Sequence, residues 1–119
     1  MPTSPTVTRD EVAAARARLL AIDPGAEDFV VAHLGDGNVH YSAYPSRDDP
    51  ALSEAIRAAV DAAAVELGGS FSAEHGIGLM KLPSMRTHKD PTAVEVMRSL
   101  KAALDPLNLL NPGKTIPTP

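Results

Sequence analysis

Three stretches of the chain have the 3.6-residue apolar period of amphipathic helices. The first is predicted to start at a Thr8–Glu11 capping box and to end before Asp23-Pro24-Gly25. The second and third are predicted to start at Asp49-Pro50 and Asp90-Pro91, where aspartate caps the helix and proline suits the first turn. The expected buried positions are, helix by helix, Val12, Ala15, Leu19 and Ile22; Leu52, Ala55, Ile56, Ala59, Val60, Ala63 and Leu67; and Val94, Met97, Leu100 and Leu104.

A different pattern, with a period of two residues, predicts strands at 29–34 and 39–44 around the turn Gly35-Asp36-Gly37-Asn38. Glycine and asparagine accept the positive φ that hairpin turns require. With these four residues as the loop, His33 pairs directly with His40, and their Cβ atoms lie about 4.5–5.5 Å apart on one face. The opposite face is the predicted core face: Val30, Ala32, Leu34, Val39, Tyr41 and Ala43.

The remaining elements complete a predicted α+β fold. A short third strand is predicted at Ser70–Glu74, and a glycine-punctuated turn follows at His75–Gly78. Residues 79–89 have no clear pattern, and Pro83 limits any helix there. The order helix, strand, strand, helix, strand, helix predicts an incomplete ferredoxin-like arrangement, in which helices cover an antiparallel sheet that lacks its first strand. The apolar segment 107–114 is irregular, and we expect it to pack down.

Composition narrows the class of protein. The chain has 119 residues, which fits one domain at most, and only 3% of them are aromatic, so alanine and branched aliphatics must form the core. A formal net charge of −4 argues against nucleic-acid binding, and the lack of cysteine excludes disulfides and thiolate metal sites. Residues 1–7 are predicted to be disordered and have no signal-peptide pattern, and no apolar run is long enough to span a membrane. We expect a cytoplasmic chain.

The hairpin histidines are the first candidates for chemistry. Two imidazoles on one face can chelate a metal ion, and Glu74 is the natural third ligand; this donor set suits a catalytic zinc or a non-haem iron or manganese. His75 points away from Glu74 on a strand and is a candidate general base, while Asn38 could hydrogen-bond a substrate. The alternatives are structural: sheet histidines bonded to neighbours, a solvated carboxylate, turn residues, and, for Lys114, a solvated terminus.

Three motifs occur in a fixed order: His-x-Gly-Asp-Gly-Asn-x-His at 33–40, Gly-Gly-Ser-Phe-Ser-Ala-Glu-His-Gly-Ile-Gly at 68–78, and Leu-Asp-Pro-Leu-Asn-Leu-Leu-Asn-Pro-Gly-Lys at 104–114. Together they resemble the C-terminal domain of the FAD-linked oxidases, the family of D-lactate dehydrogenase, the D subunit of glycolate oxidase and D-2-hydroxyglutarate dehydrogenase. The resemblance covers residues from about 25 to 117. We therefore expect an N-terminal tail and helix at 1–24 and a partial FAD-linked oxidase C-terminal domain at 25–119.

The resemblance implies a role for each candidate residue. Residues matching His33, His40 and Glu74 hold a divalent metal in the family. The match to His75 contacts the substrate and is the proposed base, and the match to Asn38 lies on the substrate. The tail that contains Asn111 and Lys114 packs near the flavin. The implied reaction is oxidation of a D-2-hydroxy acid of the lactate, glycolate or 2-hydroxyglutarate type, with hydride transfer to FAD.

The family's FAD-binding domain, which is larger than this chain, does not occur in the sequence. We therefore expect part of a larger enzyme (a truncated product, a split subunit with a FAD-binding partner chain, or a fragment) that has no turnover and little or no FAD on its own. One alternative is a stand-alone divalent-metal-binding module without redox activity. Another is a structural remnant that forms homo-oligomers through an open sheet edge. The sequence does not choose among zinc, manganese and iron.

Overall fold

A computed structural model of the protein describes residues 9–118 except 34, 36 and 73, with side chains from residue 12 onward. The predicted disorder of 1–7 and the Thr8–Glu11 capping box lie outside these residues. The described elements are α1 (Arg9–Ile22), β1 (Glu27–His33), β2 (Asn38–Tyr44), α2 (Pro50–Glu66), α3 (Leu82–His88) and α4 (Pro91–Leu104). They belong to two compact units, residues 1–73 and 74–119.

The first unit is built from α1, the β1–β2 hairpin and α2. Helix α2 starts as predicted, because the Asp49 carboxylate accepts hydrogen bonds from the backbone N–H groups of Ala51 and Leu52 at 3.0 and 3.3 Å. It ends at Glu66, just before Gly68 adopts a φ of +78°. An ion pair between Arg18 and Glu66 links α1 to α2.

The core of this unit lies between the two helices and one face of the antiparallel hairpin. Its buried cluster is Leu19, Leu52 and Ile56, and the partly buried Ala26, Tyr41, Ala43 and Val60 pack against it. Tyr41 and Ala43 come from the predicted core face of the sheet. Other positions predicted to be buried are exposed, and for them the prediction is wrong: Val30 and Ala32 of the sheet, and Ile22, Ala55 and Leu67 of the helices. The Tyr41 hydroxyl also donates to Asp28 at 2.9 Å, and Arg16 Nε lies 3.5 Å from the same carboxylate. The α+β class, with helices on an antiparallel sheet, is confirmed.

The predicted third strand is wrong: residues 70–72 and 74 are not in a strand. The physical reason is local. The Ser70 hydroxyl accepts a hydrogen bond from the Ser72 backbone N–H at 3.2 Å and donates to the Ser72 carbonyl at 3.1 Å. Side-chain bonds of this kind offer the backbone an alternative to a strand ladder. The described part of the chain therefore has a two-stranded sheet.

The second unit contains two helices. Helix α3 was not predicted; Pro83 lies in its first turn, where proline does not break a helix. Helix α4 starts at the predicted Asp90 cap, whose carboxylate accepts from the Ala93 backbone N–H at 2.9 Å. Val94 is buried, but Leu104 is 82% exposed, and the predicted burial of Leu100 and Leu104 is wrong. The following segment instead attaches to another side of α4, through Arg98 and Lys101.

That C-terminal segment is fixed by its backbone rather than by its apolar side chains. The buried Asp105 carboxylate accepts from the backbone N–H groups of Leu109 and Leu110 at 2.9 and 2.8 Å. Lys101 donates to Asp105 and to the Leu110 carbonyl. The predicted packing of the segment holds for its backbone, while its three leucines, Leu107, Leu109 and Leu110, are exposed. Lys101, followed by the two backbone N–H groups, lowers the pKa of Asp105 to about 2.

Candidate metal and substrate site

The two hairpin histidines are close together, but not in the predicted register. His33 lies opposite Asn38, and His40 lies opposite Val31. The connection is 34–37 rather than 35–38: the Gly37 backbone N–H donates to the His33 carbonyl at 3.1 Å, and Gly37 supplies the positive φ of 71°. The predicted direct pairing of His33 with His40 is therefore wrong by a two-residue shift of one strand along the other.

The predicted shared face nevertheless holds, because a shift by an even number of residues leaves every side chain on its own side of the sheet. His33 and His40 are diagonal neighbours whose ring centroids lie 5.4 Å apart, with an angle of 50° between the ring planes. One ring nitrogen of each lies within 4.8 Å of the other's. His33 is exposed, while His40 is half-buried and its Nε2 atom is buried. The pair thus offers two donors from a fixed sheet to one ligand.

Asn38 belongs to the same face. The register moves it out of the predicted turn and into β2, directly opposite His33, and it is half-buried there. The face continues along the strands with exposed apolar side chains: Phe29 is 60% exposed, and Val31 and Tyr44 are also exposed. The three polar side chains therefore gather at the turn end of a face that continues with Phe29, Val31, Ser42, Tyr44 and Glu27.

The open end of the hairpin is held by a residue that sequence reasoning treated only as a helix stop. Asp23 is 4% exposed, and its carboxylate accepts from the backbone N–H and the hydroxyl of Ser46, both at 2.7 Å, and from the Gly25 N–H at 3.2 Å. The Ser46 N–H is the largest cause of a lowered Asp23 pKa. No local motif could have revealed this contact, since Ser46 lies 23 residues further along the chain.

Glu74 and His75 open the second unit, and both are exposed. They do not lie in a strand, so the alternation that assigned them to opposite sides has no basis here. Gly76 and Gly78 follow with positive φ values of 72° and 57°, a conformation that favours glycine. Both glycines of the predicted turn at 75–78 therefore have the positive φ expected of them; the roles of Glu74 and His75 stay predictions.

The two predicted cofactor-binding residues form one turn of the C-terminal segment. The Lys114 backbone N–H donates to the Asn111 carbonyl at 3.2 Å, and Asn111 has a left-handed φ of 46°. Both residues are exposed. Their side chains are available to a ligand, and their assignment to flavin stays a prediction.

Comparison with known proteins identifies the family. Residues 4–115 match the family model described as FAD linked oxidases, C-terminal domain. The chain belongs to this family. The resemblance carried by the three motifs is confirmed, and the family implies FAD as the cofactor.

Curated relatives of this FAD-linked oxidase domain are much longer than the chain. D-2-hydroxyglutarate dehydrogenase, mitochondrial, of Rattus norvegicus is 45% identical over 85 residues, which are 71% of this chain and 16% of the relative. The corresponding Bos taurus protein is 41% identical over 110 residues, 92% of this chain and 20% of the relative. Glycolate oxidase subunit GlcD of Bacillus subtilis is 40% identical over 85 residues, 69% of this chain and 18% of the relative.

These matches mean that the chain spans a fifth or less of the length of these relatives. In the part of the chain that the structure describes, none of the helices is both long and apolar enough to cross a membrane.

Proposed function

We propose that this domain supplies the metal and substrate site of a FAD-dependent enzyme that oxidises a D-2-hydroxy acid. The observation that carries the proposal is the histidine pair: two imidazoles on one sheet face, with ring nitrogens within 4.8 Å of each other. Zinc–nitrogen bonds are about 2.0–2.1 Å long, so one ion accepts nitrogens up to roughly 4 Å apart. The two rings are therefore close enough for a rotation of their side chains to bring both nitrogens onto one divalent ion.

Glu74 is the proposed third ligand. Two histidines and one carboxylate leave coordination positions open, as a catalytic site requires, and they suit zinc, manganese or iron. The exposed carboxylate opens a segment with two positive-φ glycines, and its neighbour His75 is exposed as well. This supports a role for Glu74–Gly78 as a loop that faces ligand rather than core.

The chemistry divides between bound groups and this chain's own residues. When bound, a divalent ion supplies positive charge that favours loss of the 2-hydroxyl proton, and FAD supplies the hydride acceptor. His33 and His40, with Glu74, hold the ion. His75 accepts the hydroxyl proton on a ring nitrogen. The Asn38 side-chain amide, directly opposite His33, orients the acid by donating a hydrogen bond to one of its oxygens.

FAD is held mainly by residues outside this chain, in a further domain or in a partner chain. Relatives that are at least about five times longer than the matched region support this division. Asn111 and Lys114 contribute contacts to the flavin from the C-terminal segment. The chain alone therefore has no turnover and retains little FAD.

The direct test is the metal content of the purified chain. We expect about one divalent ion per chain after exposure to Zn²⁺, measured by mass spectrometry and isothermal titration. His33→Ala and His40→Ala should abolish binding, and Glu74→Gln should weaken it. Ser42→Ala is the matched control, because Ser42 lies on the same strand and face as His40 but offers no metal ligand.

Two results would contradict the proposal. Failure of the wild-type chain to bind any divalent ion would remove the metal site, and equal binding by His40→Ala and wild type would move the site elsewhere.

Addition of D-lactate to the zinc-loaded chain should shift the His33 and Asn38 NMR signals. Metal binding without any response to D-2-hydroxy acids would favour the stand-alone metal-binding module.

A further inference from the structure

We infer that Asp23 is a positioning residue, which selects the hairpin register and thereby places Asn38 beside the histidine pair. Asp23 lies in the turn between α1 and β1, at the opposite end of the hairpin from His33 and His40. Its carboxylate joins the segment before β1 to the segment after β2 through the three hydrogen bonds from Ser46 and Gly25.

The contact is specific to one register. The last strand pair is Glu27 with Tyr44, and two further residues along each segment bring Gly25 opposite Ser46. The two backbones approach closely there, since a Cβ on Gly25 would lie 3.0 Å from Ser46 Cβ. Asp23 can therefore reach Ser46 only while these two segments stay aligned.

The competing register is a shift of two residues, in which His33 lies directly opposite His40. That arrangement has a connection of the same length, with Gly35-Asp36-Gly37-Asn38 as its turn. It also leaves every core-facing side chain on its own face of the sheet, so hydrophobic burial does not distinguish strongly between the two registers. The choice then comes from polar contacts: the Tyr41–Asp28 hydrogen bond within the sheet, which the shift would also break, and the contacts at the ends of the hairpin.

At the open end the two registers differ in charge and in hydrogen bonding. In the shifted register Gly25 would lie opposite Asp48 instead of Ser46. The Asp23 carboxylate would then lose its serine donors and approach a second carboxylate, which is unfavourable. The Asp23–Ser46 contact thus favours the observed register at a distance from the site.

The consequence for the site is the position of one side chain. The observed register places Asn38 in β2, opposite His33, whereas the shifted register returns it to the turn and places His40 there instead. The histidines share a face in both registers. Asp23 therefore determines the position of the Asn38 side-chain amide, not the face on which the histidines lie. Only the substrate-orienting role of that amide rests on the proposed function.

The test compares Asp23→Ala and Ser46→Ala with a control that loses a similar cap. Asp49→Ala removes a carboxylate that accepts two backbone N–H bonds at the start of α2. It lowers the stability of the same unit but leaves the Asp23–Ser46 contact intact. Asp23→Asn, which retains an acceptor oxygen, is the conservative rescue variant.

The readout is the set of backbone-proton nuclear Overhauser contacts across the hairpin, recorded without metal. Wild type, Asp23→Asn and Asp49→Ala should retain the His33–Asn38 contact. Asp23→Ala should gain a His33–His40 contact at its expense, because loss of the two hydrogen bonds from Ser46 to a carboxylate changes a two-state population by about tenfold or more. Ser46→Ala should change the contacts in the same direction by less, since the Ser46 backbone N–H remains.

An unchanged His33–Asn38 contact in folded Asp23→Ala, or an equal loss in Asp49→Ala, would overturn the inference. If Asp23→Ala does not fold, the same comparison between Ser46→Ala and Asp49→Ala decides. A parallel Zn²⁺ titration separates this inference from the proposed function. A wild-type chain that binds no Zn²⁺ contradicts the metal site, while the register contacts still test Asp23.

Discussion

Leu19→Ala is expected to lower the free energy of unfolding of the first unit by about 3–4 kcal/mol. Leu19 is only 1% exposed and packs with Leu52 and Ile56 beneath the core face of the hairpin. Truncation removes its buried methyl groups and leaves a cavity, and near-complete burial places the cost in the middle of the usual range of about 2–5 kcal/mol. Domains of this size have a total stability of about 5–15 kcal/mol, so the loss is a large fraction of it.

The assay is urea unfolding followed by circular dichroism. With a denaturant slope of about 1–3 kcal/mol per M, the midpoint should fall by roughly 1–4 M. The neighbouring Leu20, which is 39% exposed, provides the matched control. Leu20→Ala should cost less than about 1 kcal/mol. Equal midpoints for the two variants would refute the assignment of Leu19 to the core that supports the sheet from the side opposite the histidines.

Two further predictions concern hydrogen bonds to carboxylates. Tyr41→Phe should lower the free energy of unfolding by about 1–2 kcal/mol, because the Tyr41 hydroxyl donates to Asp28; burial and that bond both raise the pKa of Tyr41. The control is Tyr44→Phe at an exposed tyrosine, which should change the stability in urea little. Equal effects of the two substitutions would contradict the prediction. Asp105 has a lowered pKa of about 2, so its stabilising contribution is present above the unfolded pKa of about 3.9 and is lost as pH falls toward 2. The measurement is hydrogen exchange of the Leu109 backbone amide, corrected for intrinsic rates. In the wild-type chain its protection should fall as the pH decreases over that interval. In Asp105→Asn its protection should be low and independent of pH.

The features that were correctly predicted from the sequence are those whose determinants lie within a few residues. Asp49 and Asp90 each cap the helix that starts at the next residue, through backbone N–H groups two or three positions away. Alternation likewise assigned Tyr41 and Ala43 correctly to the face that packs on the core, although Val30 and Ala32 of the same face are exposed. Local signals of this kind do not depend on how the rest of the chain folds.

Predictions failed where the outcome depends on specific contacts that an apolar or strand-like pattern does not describe. The apolar period of α4 correctly marks a helix, yet Leu100 and Leu104 are exposed, because the following segment attaches through Arg98 and Lys101 instead. The Ser70–Glu74 run was strand-like in composition, but the Ser70 side chain bonds the Ser72 backbone.

For the histidine pair, the predicted shared face is correct and the predicted direct pairing is wrong. The metal hypothesis depends on the face and not on the direct pairing. The two registers differ by two residues, so in both of them His33 and His40 share a face, as direct or as diagonal neighbours. The pair is thus encoded locally, by alternation and by turn residues. The position of Asn38 is not encoded in this way, because it depends on the register, which we attribute to the Asp23–Ser46 contact between residues 23 positions apart. The candidate metal ligands on the hairpin could therefore be predicted from the sequence, whereas the position of Asn38, the proposed substrate-binding residue, required the structure.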